Sequence, residues 1–390
     1  METAESFKQS AIEITGLSDF GEAHFEPLVE AYVKDLANPD LSDLGRHVFT
    51  RLLIADLVRR LQAIECFKTS PEIDDVVIPP IFYISGLERT GTTFLHNLLS
   101  LDRNSRHLKR WELMHPTPPP EASTYLTDPR IAKTKASIDK LRGSLLEQLH
   151  WVEAEDPEEC AWGMIDGYGI MGVSAVTALP TFLKATLTLD PKPRFREYRR
   201  LMQLLLWKNP PPNGGHLVLK SPQVLFDMPD FLSVFPEAHL ILMHRDPFRA
   251  TTSLMALQSH IHGPFFQQKT NLKDRLVDFF PSHAERRMSL MNKVFAATEG
   301  VTHVAYPNLV QDPIETVESI YQDVDQSLPS DMRARLEAFI NEQRAGKRAK
   351  PAKELPSFGL DQDEFLSRPA VAEYCMAFGV EVERERQTGM

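Results

Sequence analysis

Cysteine is scarce in this chain. Cys66, Cys160 and Cys375 form an odd, scattered set with no C-x-x-C pair. That excludes a disulfide framework, argues against a cysteine-held zinc site and points to a reducing compartment. Positive charge is also short: 43 Lys and Arg stand against 54 Asp and Glu, a formal net charge of −11. So acidic a chain does not work by broad attraction to nucleic acid or anionic membranes. A local basic pocket for a small anion stays open. Long apolar runs are missing too. The uncharged stretch from Gly167 to Leu183 is seventeen residues long and holds three glycines and Pro180. It falls short of a membrane span and reads as a buried helix or the wall of an apolar pocket. The start, METAESFKQS, has acids where a secretion signal needs bases. A cytoplasmic protein without stable membrane insertion is expected. The thirteen histidines include no H-E-x-x-H and no paired His/Cys spacing, so no metal site is expected.

What is present is a globular composition, 42% apolar and 25% charged over 390 residues. That length suits two average domains, or one large α/β domain with helical additions. Residues 1–78 read as a helical extension, with an amphipathic stretch from Leu52 to Cys66. VVIPPIFYISG then reads as a buried strand ending at Gly86, with a helix from about Thr92 to Ser100. A charged helical stretch follows the Pro116–Pro120 break to about Trp151, and another helix runs from about Arg194 to Trp207. Three further strands are expected in HLVLK (216–220), AHLILMH (238–244) and VTHVAY (301–306), each followed by a helix. Strands alternating with helices predict an α/β fold: a three-layer parallel sheet flanked by helices. From about Leu328 the chain reads as helical and then loop-rich.

The most informative residues are Gly86-Leu87-Glu88-Arg89-Thr90-Gly91-Thr92-Thr93, between strand and helix. There, backbone N–H groups and a helix N-terminus cradle an oxyanion. The glycines have Walker A spacing, but the lysine that should follow Gly91 is Thr92. Without it a triphosphatase loses its main cationic clamp. The cation here, Arg89, sits inside the loop and suits a short charged 5′ group. H-R-D at 244–246 does not make a kinase loop, because Thr251 stands where that pattern needs asparagine.

R-T-G-T-T after a buried strand resembles the 5′-phosphosulfate loop of sulfotransferases that use 3′-phosphoadenosine 5′-phosphosulfate (PAPS). Arg245 at a strand end, with Ser253 eight residues on, is similar to that family's 3′-phosphate pair. With VLKSP (218–222) and FPEAHLILMHRDP, the chain looks like the bacterial and tyrosylprotein-type branch. The resemblance covers roughly residues 80–325 in pieces. It implies a P-loop-like core over 79–325, an acceptor and lid insertion at about 116–210, and a C-terminal helix and cofactor-closing tail at 326–390.

The resemblance further implies cofactor contacts from Gly86, Arg89, Thr90, Gly91, Thr92, Thr93, Arg245 and Ser253. The basic cluster RAGKRAK brings Lys347 and Arg348 as candidates for closing over the 3′-phosphate. Lys220 matches the family's catalytic lysine, with Arg89 beside it at the transferring group. The base is less determined: cytosolic members use a histidine where this chain has Pro222. Tyrosylprotein-type members use a glutamate beyond the loop helix, near which Glu112 falls; His115 is second and Glu88 third. A salt bridge from Glu112 to Arg110 or another nearby arginine competes with that role. Trp151, Trp162, Tyr168 and Phe182, with the uncharged stretch, suggest an apolar hydroxyl acceptor; the same rings would equally serve a core. The implied partners are PAPS and a small molecule, with a homodimer left open. The alternatives are a nucleotide-binding protein or kinase lacking the Walker lysine, or a divergent non-sulfating member of the fold.

Overall fold

The computed structural model describes residues 3–141, 152–167, 179–296, 298–345 and 357–383. Its strands are β1 (Ile81–Gly86), β2 (Ser105–His107), β3 (His216–Lys220), β4 (Ala238–His244) and β5 (Val301–Ala305). Among the described residues they form one parallel sheet in the order β2-β3-β1-β4-β5. The α/β expectation is met. β2 has no counterpart in the sequence reading, because RNSRHLKR shows no apolar alternation. Its Arg106 is buried all the same, since it has a carboxylate partner there.

Successive side chains of a strand point to opposite faces, so a sheet covered on both sides is apolar at nearly every position. Phe82 and Ile84 of β1, Val218 of β3, and Ile241 and Met243 of β4 pack into one helical layer. Ile81, Tyr83, Leu217, Leu219, Leu240 and Leu242 pack into the other. The three layers of the sequence reading are therefore two apolar cores, one on each face of the sheet.

The N-terminal helices are α1 (Ala4–Thr15), α2 (Glu26–Leu36) and α3 (Asp43–Thr69). They share an apolar cluster in which Tyr32, Phe49 and Leu53 meet Leu179 and Phe182. The loop helix is α4 (Thr92–Leu99), and α5 (Arg110–Met114) and α6 (Pro129–Ile138) follow it. Of the helical stretch expected up to Trp151, residues 142–151 lie outside the described residues, as do 168–178 of the uncharged run. That run ends in α7 (Pro180–Thr188). One Asp35 carboxylate oxygen accepts the Phe182 N–H at 2.8 Å in the first turn of α7. A carboxylate there meets both an orphan donor and the positive end of the helix dipole. The Tyr32 ring meets Phe182 edge-on at 5.6 Å. The N-terminal helices thus fix where α7 stands.

Beyond α7 come α8 (Lys192–Trp207), α9 (Met228–Val234), α10 (Pro247–His262) and α11 (Leu272–Phe295). Asp246 caps α10, accepting the N–H groups of Phe248 and Arg249, with Pro247 in the first turn. Asp35→Ala removes a buried charge-assisted hydrogen bond, which is worth about 1.5–3 kcal/mol. A loss of folding stability of that order is expected in urea denaturation, and an unchanged midpoint would show that α7 does not depend on the contact.

Candidate active site

Neighbouring strands bring the candidate residues together. β1, β3 and β4 are adjacent, and Gly86, Lys220 and His244 are their last residues. The carboxyl ends of strands, near the point where the strand order reverses, are where open α/β sheets bind ligands. Gly86 has φ of +134°, and a Cβ there would lie 2.5 Å from the Met243 carbonyl oxygen. Only glycine lets the turn press onto β4. Gly91 has φ of +91° and lies against the Tyr306 ring, which a Cβ would approach to 2.8 Å. α4 starts directly after it. Arg89 between them also takes a positive φ, +67°.

Within the loop, the Thr90 hydroxyl donates to the Leu87 carbonyl at 2.7 Å, and its side chain is buried. Thr90 therefore stabilises the turn instead of facing the cavity. Thr92, Thr93 and Gly91 line a cavity of about 460 Å³. Arg89 Nε donates to Ser253 Oγ at 3.1 Å, and Arg245 Nη1 donates to the Arg89 carbonyl at 2.9 Å. The Arg245 guanidinium lies 4.1 Å from the Tyr306 ring centre, and its buried Nε has no hydrogen-bond partner. Burial first, and then the Arg245 charge, lowers the Arg89 pKa. Arg89 thus joins Ser253 and Arg245 in one hydrogen-bonded group. Lys347 and Arg348 lie outside the described residues.

Lys220 is buried, and its Nζ donates to Glu159 Oε1 at 2.6 Å. The other Glu159 oxygen accepts from Gln223 Nε2 at 2.8 Å, and the Glu159 N–H donates to Glu158 Oε1 at 2.8 Å. Glu158 is itself paired with Arg110. Glu159 lines the cavity, and sequence reasoning missed it. The available signal was the acidic run in DPEECAWG, where Glu158 and Glu159 precede a buried 3₁₀ turn, Cys160–Gly163. Nothing local ties that run to Lys220, sixty-one residues away.

Glu112 is not at the cavity. It is fully buried, and Arg106 grips it bidentately at 2.6 and 2.9 Å. The Tyr125 hydroxyl and the Lys109 N–H also donate to it, each at 2.7 Å. Because Glu112 is buried away from the cavity, the expectation of a base there gives way to a structural ion pair, with Arg106 and not Arg110. His115 does not line the cavity either. Its carbonyl accepts from Arg130 Nη1, and burial, aided by Lys133, pushes its pKa down to about 4. Glu88 does line the cavity, but Arg287 holds it at 2.8 Å. Burial raises the Glu88 pKa, with Arg287 opposing.

The rest of the cavity is largely apolar. α10 presents Leu254, Leu257, Gln258 and Ile261, and α7 presents Phe182, Leu183, Thr186 and Leu187. Trp162 and Phe182 line it as the sequence suggests, while Trp151 and Tyr168 lie outside the described residues. Among the described residues no cluster of three metal-ligating side chains occurs, and no helix is long and apolar enough to cross a membrane.

A glycine-containing strand-to-helix loop beside a buried lysine–glutamate pair, on a helix-flanked parallel sheet, defines the α/β class of this chain. The sulfotransferase family profile matches residues 80–330, and the chain belongs to that family. It is similar to the crystal structure of sulfotransferase STF9 from Mycobacterium avium, over 99% of both chains, with 25% identity and a TM-score of 0.83. Sulfotransferase STF1 from Mycobacterium tuberculosis shares the fold over 95% of this chain and 98% of its own, at 23% identity and a TM-score of 0.79. No curated protein matches the sequence. The chain is thus a transferase of the sulfuryl-transfer class. Glu112→Ala is expected to lose about 3–5 kcal/mol of stability, because it leaves Arg106 buried and uncompensated. Thermal and urea unfolding measure this; wild-type stability with lost turnover would return Glu112 to the chemistry.

Proposed function

We propose that this protein transfers a sulfuryl group from PAPS to the hydroxyl of an apolar small molecule. One observation carries the reading: Arg89, Arg245 and Glu159, the last held by the buried Lys220, line one cavity whose remaining lining is largely apolar. The residues fit a nucleotide charged at both ends. Arg89, Thr92, Thr93 and the loop N–H groups suit its 5′ group, at the start of α4. The unpartnered, buried Arg245 Nε is a donor awaiting an acceptor, and Ser253 is within reach of the same arginines. A 3′-phosphate supplies that acceptor. Phe94 and Tyr306 add aromatic faces along the same cavity.

When bound, the donor supplies the sulfuryl group and keeps a bisphosphate as leaving group. The chain's own residues do the rest. Lys220 and Arg89 neutralise negative charge that develops at the transfer point, in a pocket where low dielectric strengthens the interaction. Glu159 accepts the acceptor's hydroxyl proton. It is the one carboxylate at the cavity that Lys220 touches, and Lys220 and Gln223 fix its orientation. The Glu88–Arg287 pair holds the loop against the segment after β3, since Arg287 Nη1 also donates to the Pro222 carbonyl at 3.0 Å. α7 and α10 exclude water from the acceptor end.

Calorimetry should show adenosine 3′,5′-bisphosphate binding more tightly than ADP or ATP; preference for ATP, with magnesium-dependent turnover, would overturn the reading. Arg245→Ala should weaken bisphosphate binding by about 10- to 100-fold, as loss of a charged hydrogen bond implies, and ADP binding much less. Equal losses would remove the 3′-phosphate from Arg245. Glu159→Gln should lower kcat by about 10²- to 10⁴-fold with bisphosphate affinity nearly unchanged. Retained turnover would exclude Glu159 as the base.

A further inference from the structure

The Thr186 hydroxyl in the cavity's apolar chamber is satisfied by the Leu183 carbonyl, but two further polar side chains there are used by nothing in the transfer chemistry. The first is Gln258 on α10. It is 7% exposed, and its Oε1 is buried without a hydrogen-bond partner. An unsatisfied amide oxygen among leucines is unfavourable, so its retention asks for a donor. The second is His283 on α11, also nearly buried and also lining the cavity. Its ring is held between Phe226 at 5.2 Å and Phe279 at 5.0 Å. Burial first, then Arg287 and Arg286, keep the imidazole neutral by lowering its pKa well below the ordinary value. A neutral ring has one donor and one acceptor nitrogen.

The two residues line the same cavity from two helices. Adjacent loop residues anchor their helices: Arg89 bonds Ser253 of α10, and Glu88 bonds Arg287 of α11. Gln258 lies five residues beyond Ser253, roughly 7.5 Å along the helix, and His283 lies four residues from Arg287, roughly 6 Å. On α10 the lining positions 254, 257, 258 and 261 share one face, as 280, 283 and 287 do on α11. An acceptor reaching from the Lys220–Glu159 pair into the chamber would bring its far end to these two groups.

We propose that Gln258 and His283 are specificity-determining residues that bind a second hydroxyl, and that the acceptor class is an apolar phenol or alcohol with another hydroxyl at its remote end. This rests on the reading that the apolar chamber receives the acceptor. The orphan is an acceptor oxygen, so it selects a hydroxyl over an ether or a bare hydrocarbon. A site built to hydrogen-bond a substrate hydroxyl discriminates strongly against an analogue that lacks it, because its own polar groups are then left unpaired.

The test uses two rigid probes of one frame, 4-hydroxybiphenyl and 4,4′-dihydroxybiphenyl. Calorimetry measures their binding to the full chain saturated with adenosine 3′,5′-bisphosphate, so that no transfer occurs. The diol should bind about tenfold or more tightly than the monophenol. Gln258→Leu should reduce that preference to about twofold or less while keeping monophenol affinity. Its unliganded Tm should hold or rise, because the substitution conserves volume and removes the orphan oxygen. His283→Phe should reduce the preference in the same direction. Equal affinities in the wild type, or a preference surviving both substitutions, would overturn the proposal. So would failure of both probes to bind a protein that still takes the bisphosphate, which would leave the transfer reading standing. A diol preference in a protein that does not bind the bisphosphate would support the specificity proposal and sink the transfer reading instead.

Discussion

Like charges buried side by side repel, and the site is organised around that constraint. Arg89, Arg245, Lys220 and Arg287 gather at one end of the sheet of an acidic protein. Two of them have carboxylates: Glu159 takes Lys220 and Glu88 takes Arg287. Beside the loop, Arg89 donates to the Ser253 hydroxyl, and Arg245 meets the Arg89 carbonyl and the face of Tyr306. Their mutual charge and burial lower the Arg89 pKa. In the proposed reading, an anion that meets both arginines relieves that repulsion. The −11 of the whole chain and this cluster do not conflict. The acids are spread, and the cations that matter are concentrated by the strand order.

That electrostatic end is coupled mechanically to an apolar one. Glu88 and Arg89 each grip a helix, and those helices line the chamber one and two turns further on. The third wall, α7, is set by Asp35 and Tyr32 from the N-terminal helices. The extension that no local motif explains therefore has a physical task, which is to complete the cavity. The ion pairs also differ in kind. Arg106–Glu112 has both carboxylate oxygens satisfied and does not line the cavity. Lys220–Glu159 reaches the cavity through Glu159, with Lys220 buried behind it.

Legibility in the sequence followed from distance along the chain. The loop was legible because its signals lie within eight residues and each has a local cause: two glycines at positive φ, an interior cation, a helix start. The spacing of Arg245 and Ser253 was legible because only the Asp246 cap and the first turns of α10 lie between them. β2 was not, since three residues at a sheet edge carry no periodic pattern. Glu112 misled for a related reason: its spacing from the loop helix was right, but spacing says nothing of the arginine that would claim it.

The sequence by itself determined the α/β class, the anion loop and its missing lysine, and the cations at three strand ends. These are local properties: hydrophobic period, turn stereochemistry, and the rule that a strand end in a parallel sheet faces a ligand. Only the tertiary structure decided which carboxylate meets Lys220, that α7 walls the cavity, and that Gln258 and His283 both line it. Each of these depends on contacts between segments separated by many residues, and the packing of both layers, not any local preference, sets those contacts.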